Sequence, residues 1–315
     1  MDEIECIFCA GSTSSVVIQE NGFDARQCAN CGLIFVSPRP SADETAALYL
    51  TDSAHLSARS HVAGHQTLVS RAETRYRLSV LRKYIRPRST LAEIGAGGGA
   101  FLAEAGRQGF DVQGVELNPL QAAFIRDELG IACAPSLAEL REATGRQTHD
   151  VVFFRDVISH FSDPIGEFAT FNAVLPLGGV IAFETGNLAD VDRRYFRYFS
   201  LFQLPDHLFF FGDASLQALL ERTGFELIAI RRWSILPQLQ ALHLLRRLRG
   251  RNAETAEHRS EDAAGAGAGK RSPLRAAVVY FLYHVLPARL GAVAPKRGRP
   301  QTTLIIARKT GEPRP

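Results

Sequence analysis

Leu91-Ala92-Glu93-Ile94-Gly95-Ala96-Gly97-Gly98-Gly99-Ala100-Phe101 decides how this chain folds. An apolar run with strand character enters a glycine loop, and the loop opens onto a helical pattern. Glycines there let the backbone approach a ligand closely, and a helix N-terminus presents free N–H groups. Alone, the G-x-G-x-x-A pattern also suits a dinucleotide site. Two acids narrow it. Glu93, two residues before the first glycine, would repel a pyrophosphate but attract a cationic amino-acid end. Glu116 closes a second strand in Gly114-Val115-Glu116-Leu117-Asn118, where a carboxylate can accept both ribose hydroxyls of a nucleoside.

Outward from this loop, residues 89–233 alternate short β-branched runs with helical patterns, the mark of βαβ units and a parallel sheet. The predicted strands are Thr90–Ile94, Val112–Glu116, Ile131–Ala134, Asp150–Phe154, Val180–Thr185 and Phe225–Trp233, with Thr302–Ala307 as a last one. Predicted helices cover Ala100–Gln108, Pro119–Leu129, Pro164–Val174 and Ser215–Thr223. Gly109, Gly130 and Gly224 stand where helices should end with φ > 0. Upstream, Leu68, Ala72, Tyr76 and Val80 recur at helical spacing within His65–Ile85, and Pro87 stops that helix. Downstream, a Leu/Arg stretch (Leu239–Arg249) leads into Glu254–Lys270, rich in Ala, Gly and charge, which reads as a flexible insertion at 250–272. An apolar helix is expected near Leu274–Leu290. The division is therefore 1–40, a knuckle; 41–88, a helical linker or lid; and 89–315, the main α/β domain.

The 315 residues carry 36 Lys and Arg against 33 Asp and Glu, a net charge of +3, without the dense basic face of a nucleic-acid binder. The start Met1-Asp2-Glu3 has neither the basic end nor the apolar run of a secretory signal, and no stretch reaches the ~18–20 apolar residues that span a bilayer. A cytoplasmic location with reduced cysteines is expected.

Four of the five cysteines lie in the first 40 residues. Cys6-x-x-Cys9 and Cys28-x-x-Cys31 suit a tetrahedral Cys₄ zinc site, each pair capping a tight turn. Cys31-Gly32 supports this, since a residue free to take φ > 0 often follows the second thiolate. Val16–Gln19 and Arg26–Cys28 could form a two-stranded ribbon between the pairs. Four thiolates leave no open coordination position, so the zinc would be structural. The competing readings are two disulfides or four idle thiols. Cys133 reads as a small buried hydrophobe.

These features resemble class I S-adenosylmethionine-dependent methyltransferases, whose first motif is matched by Glu93-x-Gly95-x-Gly97-x-Gly99. The likeness is closest to a bacterial subgroup. Asp150-Val-Val-Phe-Phe-Arg-Asp-Val-Ile-Ser-His-Phe-Ser-Asp-Pro164 is similar to its fourth-strand motif, with Ser159 in place of the usual Glu before His160. Phe183-Glu184-Thr185-Gly186-Asn187 looks like the end of the fifth strand. Leu204-Pro205-Asp206-His207-Leu208-Phe209-Phe210-Phe211, then Ser215-Leu216, is similar to its Pro-Glu-His, aromatic, Ser-Leu block. Cys31-Gly32-Leu33-Ile34-Phe35-Val36-Ser37-Pro38-Arg39-Pro40 resembles the end of its Cys₄ knuckle. The likeness covers residues 1–233 and the last strand, not 250–272. It implies a Rossmann-like methyltransferase fold: a doubly wound, mostly parallel seven-stranded sheet in order 3-2-1-4-5-7-6, strand seven antiparallel, behind a small N-terminal zinc ribbon. It also implies site roles. Glu93, Gly95, Ala96, Gly97 and Gly99 would hold the methionine moiety of S-adenosylmethionine, Glu116 the ribose, and Leu117 would pack on the adenine. Arg155, Asp156 and Val157 would line the cofactor after strand four. Ser136-Leu137 would lie near the adenine, where the usual acid is absent.

Methyl transfer is an in-line displacement at a sulfonium carbon, and a general base is needed only where the acceptor must lose a proton. His207 and His160 are the candidate catalytic bases, each otherwise a structural tie for its loop. Arg193-Arg194-Tyr195-Phe196-Arg197-Tyr198-Phe199 could cover an anionic acceptor. The acceptor class implied is a small molecule, a sugar or a lipid-like compound. Residues 239–251 and 274–290 could touch a membrane surface; the oligomeric state is not encoded legibly. Two alternatives compete: a non-catalytic zinc-knuckle interaction protein on the same scaffold, and a nicotinamide oxidoreductase.

Overall fold

A computed structural model describes residues 1–9, 13–48, 59, 68–237, 239–240, 243–244 and 296–314. Its elements in chain order begin with β1 (Ser14–Glu20), β2 (Phe23–Cys28), β3 (Ile34–Val36), α1 (Ala42–Leu48) and α2 (Leu68–Leu81). Then come β4 (Thr90–Ile94), α3 (Ala100–Arg107), β5 (Asp111–Val115), α4 (Pro119–Asp127), β6 (Cys133–Ala134), α5 (Leu137–Thr144), β7 (Val151–Arg155) and α6 (Pro164–Val174). They end with β8 (Val180–Gly186), β9 (Phe209–Phe210), α7 (Asp213–Arg222), β10 (Phe225–Ser234) and β11 (Gln301–Lys309).

The large sheet runs β10-β11-β8-β7-β4-β5-β6, which is the expected order 3-2-1-4-5-7-6. Strands β4 to β8 pair in parallel, and β11 is antiparallel to both neighbours. Successive strand residues feed opposite faces, as a period of two requires. Ala92, Ile94, Val152, Phe154, Ile181 and Phe183 join the core beneath α6 and α7, while Leu91, Val151, Phe153, Val180 and Ala182 join the core beneath α2, α3 and α4. Phe154 sits among Phe161, Phe168, Phe171 and Phe183 on the first face; Phe101 stacks on Phe153 at 3.9 Å on the second.

Several predicted boundaries differ. The expected helix His65–Ile85 occupies Leu68–Leu81 within the described residues, and the chain leaves it through hydrogen-bonded turns well before Pro87. Helix α5 was not anticipated. Segments 250–272 and 274–290, and most of 239–251, lie outside the described residues. Among the described residues no helix is long and apolar enough to cross a membrane.

The ribbon is larger than its two predicted strands. Asn21 and Gly22 both take φ > 0, 53° and 80°, the geometry of a tight hairpin turn that joins β1 to β2. Strand β3 adds to β2, and β9 of the main domain adds to β3, making one four-stranded sheet. Cys6, Cys28, Leu33 and Phe35 thus share a core with Phe168, Phe183 and Leu208.

Buried His149, 1% exposed, sits just before β7. Its Nε2–H donates to Gln113 Oε1 at 2.8 Å and its Nδ1 has no partner. Burial, reinforced by nearby Arg146, pushes its pKa down to about 4. An unfolded histidine titrates near ~6.5, so between pH 6.5 and 4 the unfolded chain binds a proton that the native chain refuses. Stability from this group is full above pH 6.5 and is lost as pH falls. Denaturant unfolding should show His149→Gln removing roughly 2 kcal/mol of the wild-type loss between neutral pH and pH 4.5.

Candidate active site

The carboxyl ends of β4, β5, β7 and β8 meet on one edge of the sheet, where doubly wound folds bind ligands. At the end of β4 the chain needs three tight reversals, and Gly95, Gly97 and Gly99 all lie at positive φ, 67°, 55° and 72°. A Cβ on Gly95 would stand 2.6 Å from Val157 Cγ2, so this glycine also lets the loop after β7 close against the first loop. Both Gly95 and Ala96 donate their N–H to the Val115 carbonyl, which locks the loop to the end of β5. Gly99 caps α3.

Glu116 follows β5 and is buried. Its Oε2 accepts the Gly97 N–H at 2.7 Å and its Oε1 accepts the Asn118 N–H at 2.8 Å. Burial raises its pKa, against the pull of these backbone donors. A carboxylate offers about four lone-pair sites, so room remains for hydroxyl donors. Asn118 Oδ1 caps α4, and Leu117 beside it is 53% exposed, an apolar surface at the mouth of the edge. Ser136 caps α5 by accepting the Glu139 N–H.

Glu93 is 5% exposed, and its Oε2 has no hydrogen-bond partner. Burial raises its pKa well above the ordinary carboxyl value; Arg155 opposes this and Glu116 adds to it. Such a group is costly unless a donor or a cation completes it. A nucleoside carrying an ammonium group fits this pair of acids: hydroxyls toward Glu116, the cation toward Glu93. Arg155 is half exposed and lies 3.7 Å from Glu73 and 3.9 Å from Asp156, which holds φ +55° after β7. Helix α2 covers this region through Arg77, whose Nε and Nη2 donate to both oxygens of buried Glu184 at 2.6 and 2.8 Å.

The second cluster lies on the same side. His160 ends a 3₁₀ turn after β7, and His207 belongs to the loop before β9; their ring centroids are 4.7 Å apart. The two loops are joined by Leu208 N–H donating to the Ser159 carbonyl. His160 Nδ1 lies 3.1 Å from both the carbonyl and Oδ1 of Asp206, acceptors that assign the proton to Nδ1. His207 Nδ1 lies 3.0 Å from the Phe202 carbonyl and likewise carries the proton. Burial and the neighbouring His160 push His207 down to about 4. Burial works to raise the Asp206 carboxyl, but the hydrogen bond and charge of His160 hold it below its usual range. The Arg193–Tyr198 stretch is a 3₁₀ helix with each arginine over an aromatic ring: Arg193 on Phe196, Arg194 on Tyr195, Arg197 on Tyr198.

In the ribbon the Sγ atoms of Cys6, Cys9, Cys28 and Cys31 all lie within 4.8 Å of one another. Three separations are 3.9 Å (Cys6–Cys9), 3.4 Å (Cys6–Cys31) and 3.9 Å (Cys28–Cys9). A tetrahedral Zn–S₄ site with ~2.3 Å bonds spaces its sulfurs ~3.8 Å apart, so the cluster has the size of that site. All five cysteines are free thiols, and Gly32 has φ 74° after the second pair.

Three residues in these networks carry no role of their own in the sequence. Asp206 stands there only as part of the His207 block, and Glu184 only as part of Phe183–Asn187. Arg77 and Glu184 lie 107 positions apart, a pairing no local pattern announces.

Comparison with known proteins agrees with this fold. No curated protein matches the sequence. Among solved structures, a [4+2]-cyclase aligns with a TM-score of 0.51 at 14% identity, covering 86% of this chain and 97% of its own. A cyclopropane synthase from Mycobacterium tuberculosis aligns with a TM-score of 0.50 at 18% identity, covering 87% of this chain and all of its own. Identities this low speak for the fold alone, since one fold serves many reactions. The family model described as "Methyltransferase domain" matches residues 68–230, more than half of the 315 residues. This chain therefore belongs to the class I S-adenosylmethionine-dependent methyltransferase family.

Proposed function

We propose that this chain moves a methyl group from S-adenosylmethionine to a small-molecule, sugar or lipid-like acceptor, and that a zinc ion in the N-terminal ribbon is structural. The observation that carries the first part is the buried, incompletely hydrogen-bonded Glu93 beside Glu116, with the three positive-φ glycines between them. Glu93 and the Gly95, Ala96, Gly97 and Gly99 backbone hold the methionine end; Glu116 accepts the ribose hydroxyls; Leu117 covers the adenine. Arg155, Asp156 and Val157 line the cofactor after β7. When bound, the cofactor supplies an electrophilic methyl carbon and leaves as a neutral thioether.

His160 is the general base of choice over His207. Its Nδ1–H is held by Asp206, which fixes the ring and stabilises the imidazolium formed when Nε2 accepts the acceptor's proton. His207, pushed down to about 4, stays neutral beside it and keeps that second charge out of the site. The cysteine spacing supports zinc as the ribbon's crosslink, because four thiolates leave no place for a substrate. By role the chain divides into the ribbon at 1–40, the cover at 41–88 and the methyltransferase domain at 89–315.

Calorimetry tests the reading directly. S-adenosylmethionine and its demethylated product should both bind, with affinities in the micromolar range, about −8 kcal/mol. Absence of binding by either sinks it. His160→Gln should leave that binding intact.

A further inference from the structure

Residues 187–212, between β8 and α7, carry Asp206 and His207, and the ribbon grips this stretch repeatedly. Gln27 Nε2 donates to the Ala189 carbonyl, and its Oε1 accepts from Arg193. Val36 N–H donates to the Leu208 carbonyl, and β3 pairs with β9. The tightest grip comes from the hairpin turn. Glu20 Oε1 accepts the Phe202 N–H at 2.8 Å, its Oε2 accepts the Leu204 N–H at 2.7 Å, and Asn21 Nδ2 donates to the Leu204 carbonyl at 2.7 Å.

Phe202 is therefore held from both ends: its N–H by Glu20, its carbonyl by His207 Nδ1–H. Gln203, between the two amides that Glu20 holds, lies at φ +63°, a conformation a non-glycine residue keeps only where its surroundings impose it. Released from the carboxylate, this turn would relax and withdraw the Phe202 carbonyl. The His207 ring would then lose the acceptor that selects its tautomer.

We propose that Glu20 is a positioning residue for methyl transfer: through Phe202 it fixes the tautomer and placement of His207 against His160, so the ribbon is a working wall of the acceptor side and not an appendage. This rests on reading the His160–Asp206–His207 cluster as the acceptor-side base. It does not involve Glu116, which accepts from the Gly97 and Asn118 amides in the loops after β4 and β5.

The test uses the full, zinc-loaded chain, wild type and the variants Glu20→Ala and Glu20→Gln. In the wild type, long-range ¹H–¹⁵N spectra should show His207 protonated on Nδ1. In Glu20→Ala, amide exchange at Phe202 and Leu204 should quicken at least about tenfold, and His207 should become a mixture of Nδ1–H and Nε2–H forms. Glu20→Gln keeps one accepting oxygen and should largely rescue the tautomer; it also carries the test if the alanine variant fails to fold. S-adenosylmethionine affinity should stay within about twofold of wild type in both. An unchanged His207 tautomer with quickened amides overturns the proposal, for the turn is then only glue. A matching fall in cofactor affinity and thermal stability also overturns it, as general loosening. Failure of the wild type to bind S-adenosylmethionine would count against the function proposed above and leave the Glu20 result readable on its own.

Discussion

Glu116→Ala should lower S-adenosylmethionine affinity by two orders of magnitude or more, while leaving the sheet folded. Two charge-assisted hydrogen bonds from ribose hydroxyls, at ~1.5–3 kcal/mol each, account for a loss on that scale. The substitution also frees the Gly97 and Asn118 amides, so part of the loss comes from the glycine loop relaxing. Glu116→Gln separates the contributions: its carbonyl oxygen can keep one backbone donor, but its amide nitrogen cannot accept a hydroxyl. Calorimetry on the two variants should therefore rank wild type, Gln, Ala. Glu93 behaves differently, because burial favours its protonated form in the free protein. A cation arriving beside it favours the carboxylate, so binding below its raised pKa releases a proton. Calorimetry at mildly acid pH in buffers of different ionisation heat should detect that proton in the wild type and lose it in Glu93→Gln. Equal proton release in both would remove Glu93 from the cofactor site. Wild-type affinity in Glu116→Ala would remove Glu116.

The parts of this fold that were legible in the sequence are those set by local chemistry. Strand β4 and helix α6 have the predicted bounds: the first runs into an obligatory glycine turn, and the second starts at Pro164 behind an Asp163 cap. The order of the seven strands came from family resemblance, since periodicity says nothing about which strand neighbours which. Helix α5 is not among the predicted helices although its signals are present. Ser136 and Glu139 form the start, Gly145 at φ 71° forms the stop, and only Leu137 and Leu140 face the core, too few to stand out as a period. Strands β3 and β9 have three and two residues and pair across a gap of more than 170 positions. No window of sequence contains that contact. The same holds for the site. Glu93, Glu116 and the glycines stand close in sequence and were readable together. The Asp206–His160 contact spans 46 positions and the grip of Glu20 on Phe202 spans 182, so both exist only in the folded chain.

On the proposal that zinc fills the ribbon's four-cysteine site, its removal should unfold residues 1–40 selectively and weaken the whole molecule. The ribbon, some 40 residues, is too short to bury a self-sufficient core, and in such modules metal binding and folding are one event. Metal analysis of the purified chain should give about one zinc per molecule, and Cys28→Ser should abolish it, because three thiolates at this spacing no longer close a tetrahedron. Four idle thiols would instead give no zinc and no response to a chelator. The damage should spread beyond the ribbon, since Cys28, Leu33 and Phe35 belong to the core that also holds Phe168, Phe183 and Leu208. Losing that packing and the β3–β9 pairing should cost several kcal/mol, a fall in Tm on the order of 10 °C in a chain this long. The far edge should tolerate it better: β5 and β6 share no strand pairing with the ribbon, and Glu116 is anchored to Gly97 and Asn118. Limited proteolysis of the chelated protein should accordingly cut within 1–40 and in the 187–212 stretch first, with S-adenosylmethionine still protecting the β4–β6 core. Cleavage that begins instead at the glycine loop would mean that the metal supports the cofactor side, contrary to the division of labour the contacts describe.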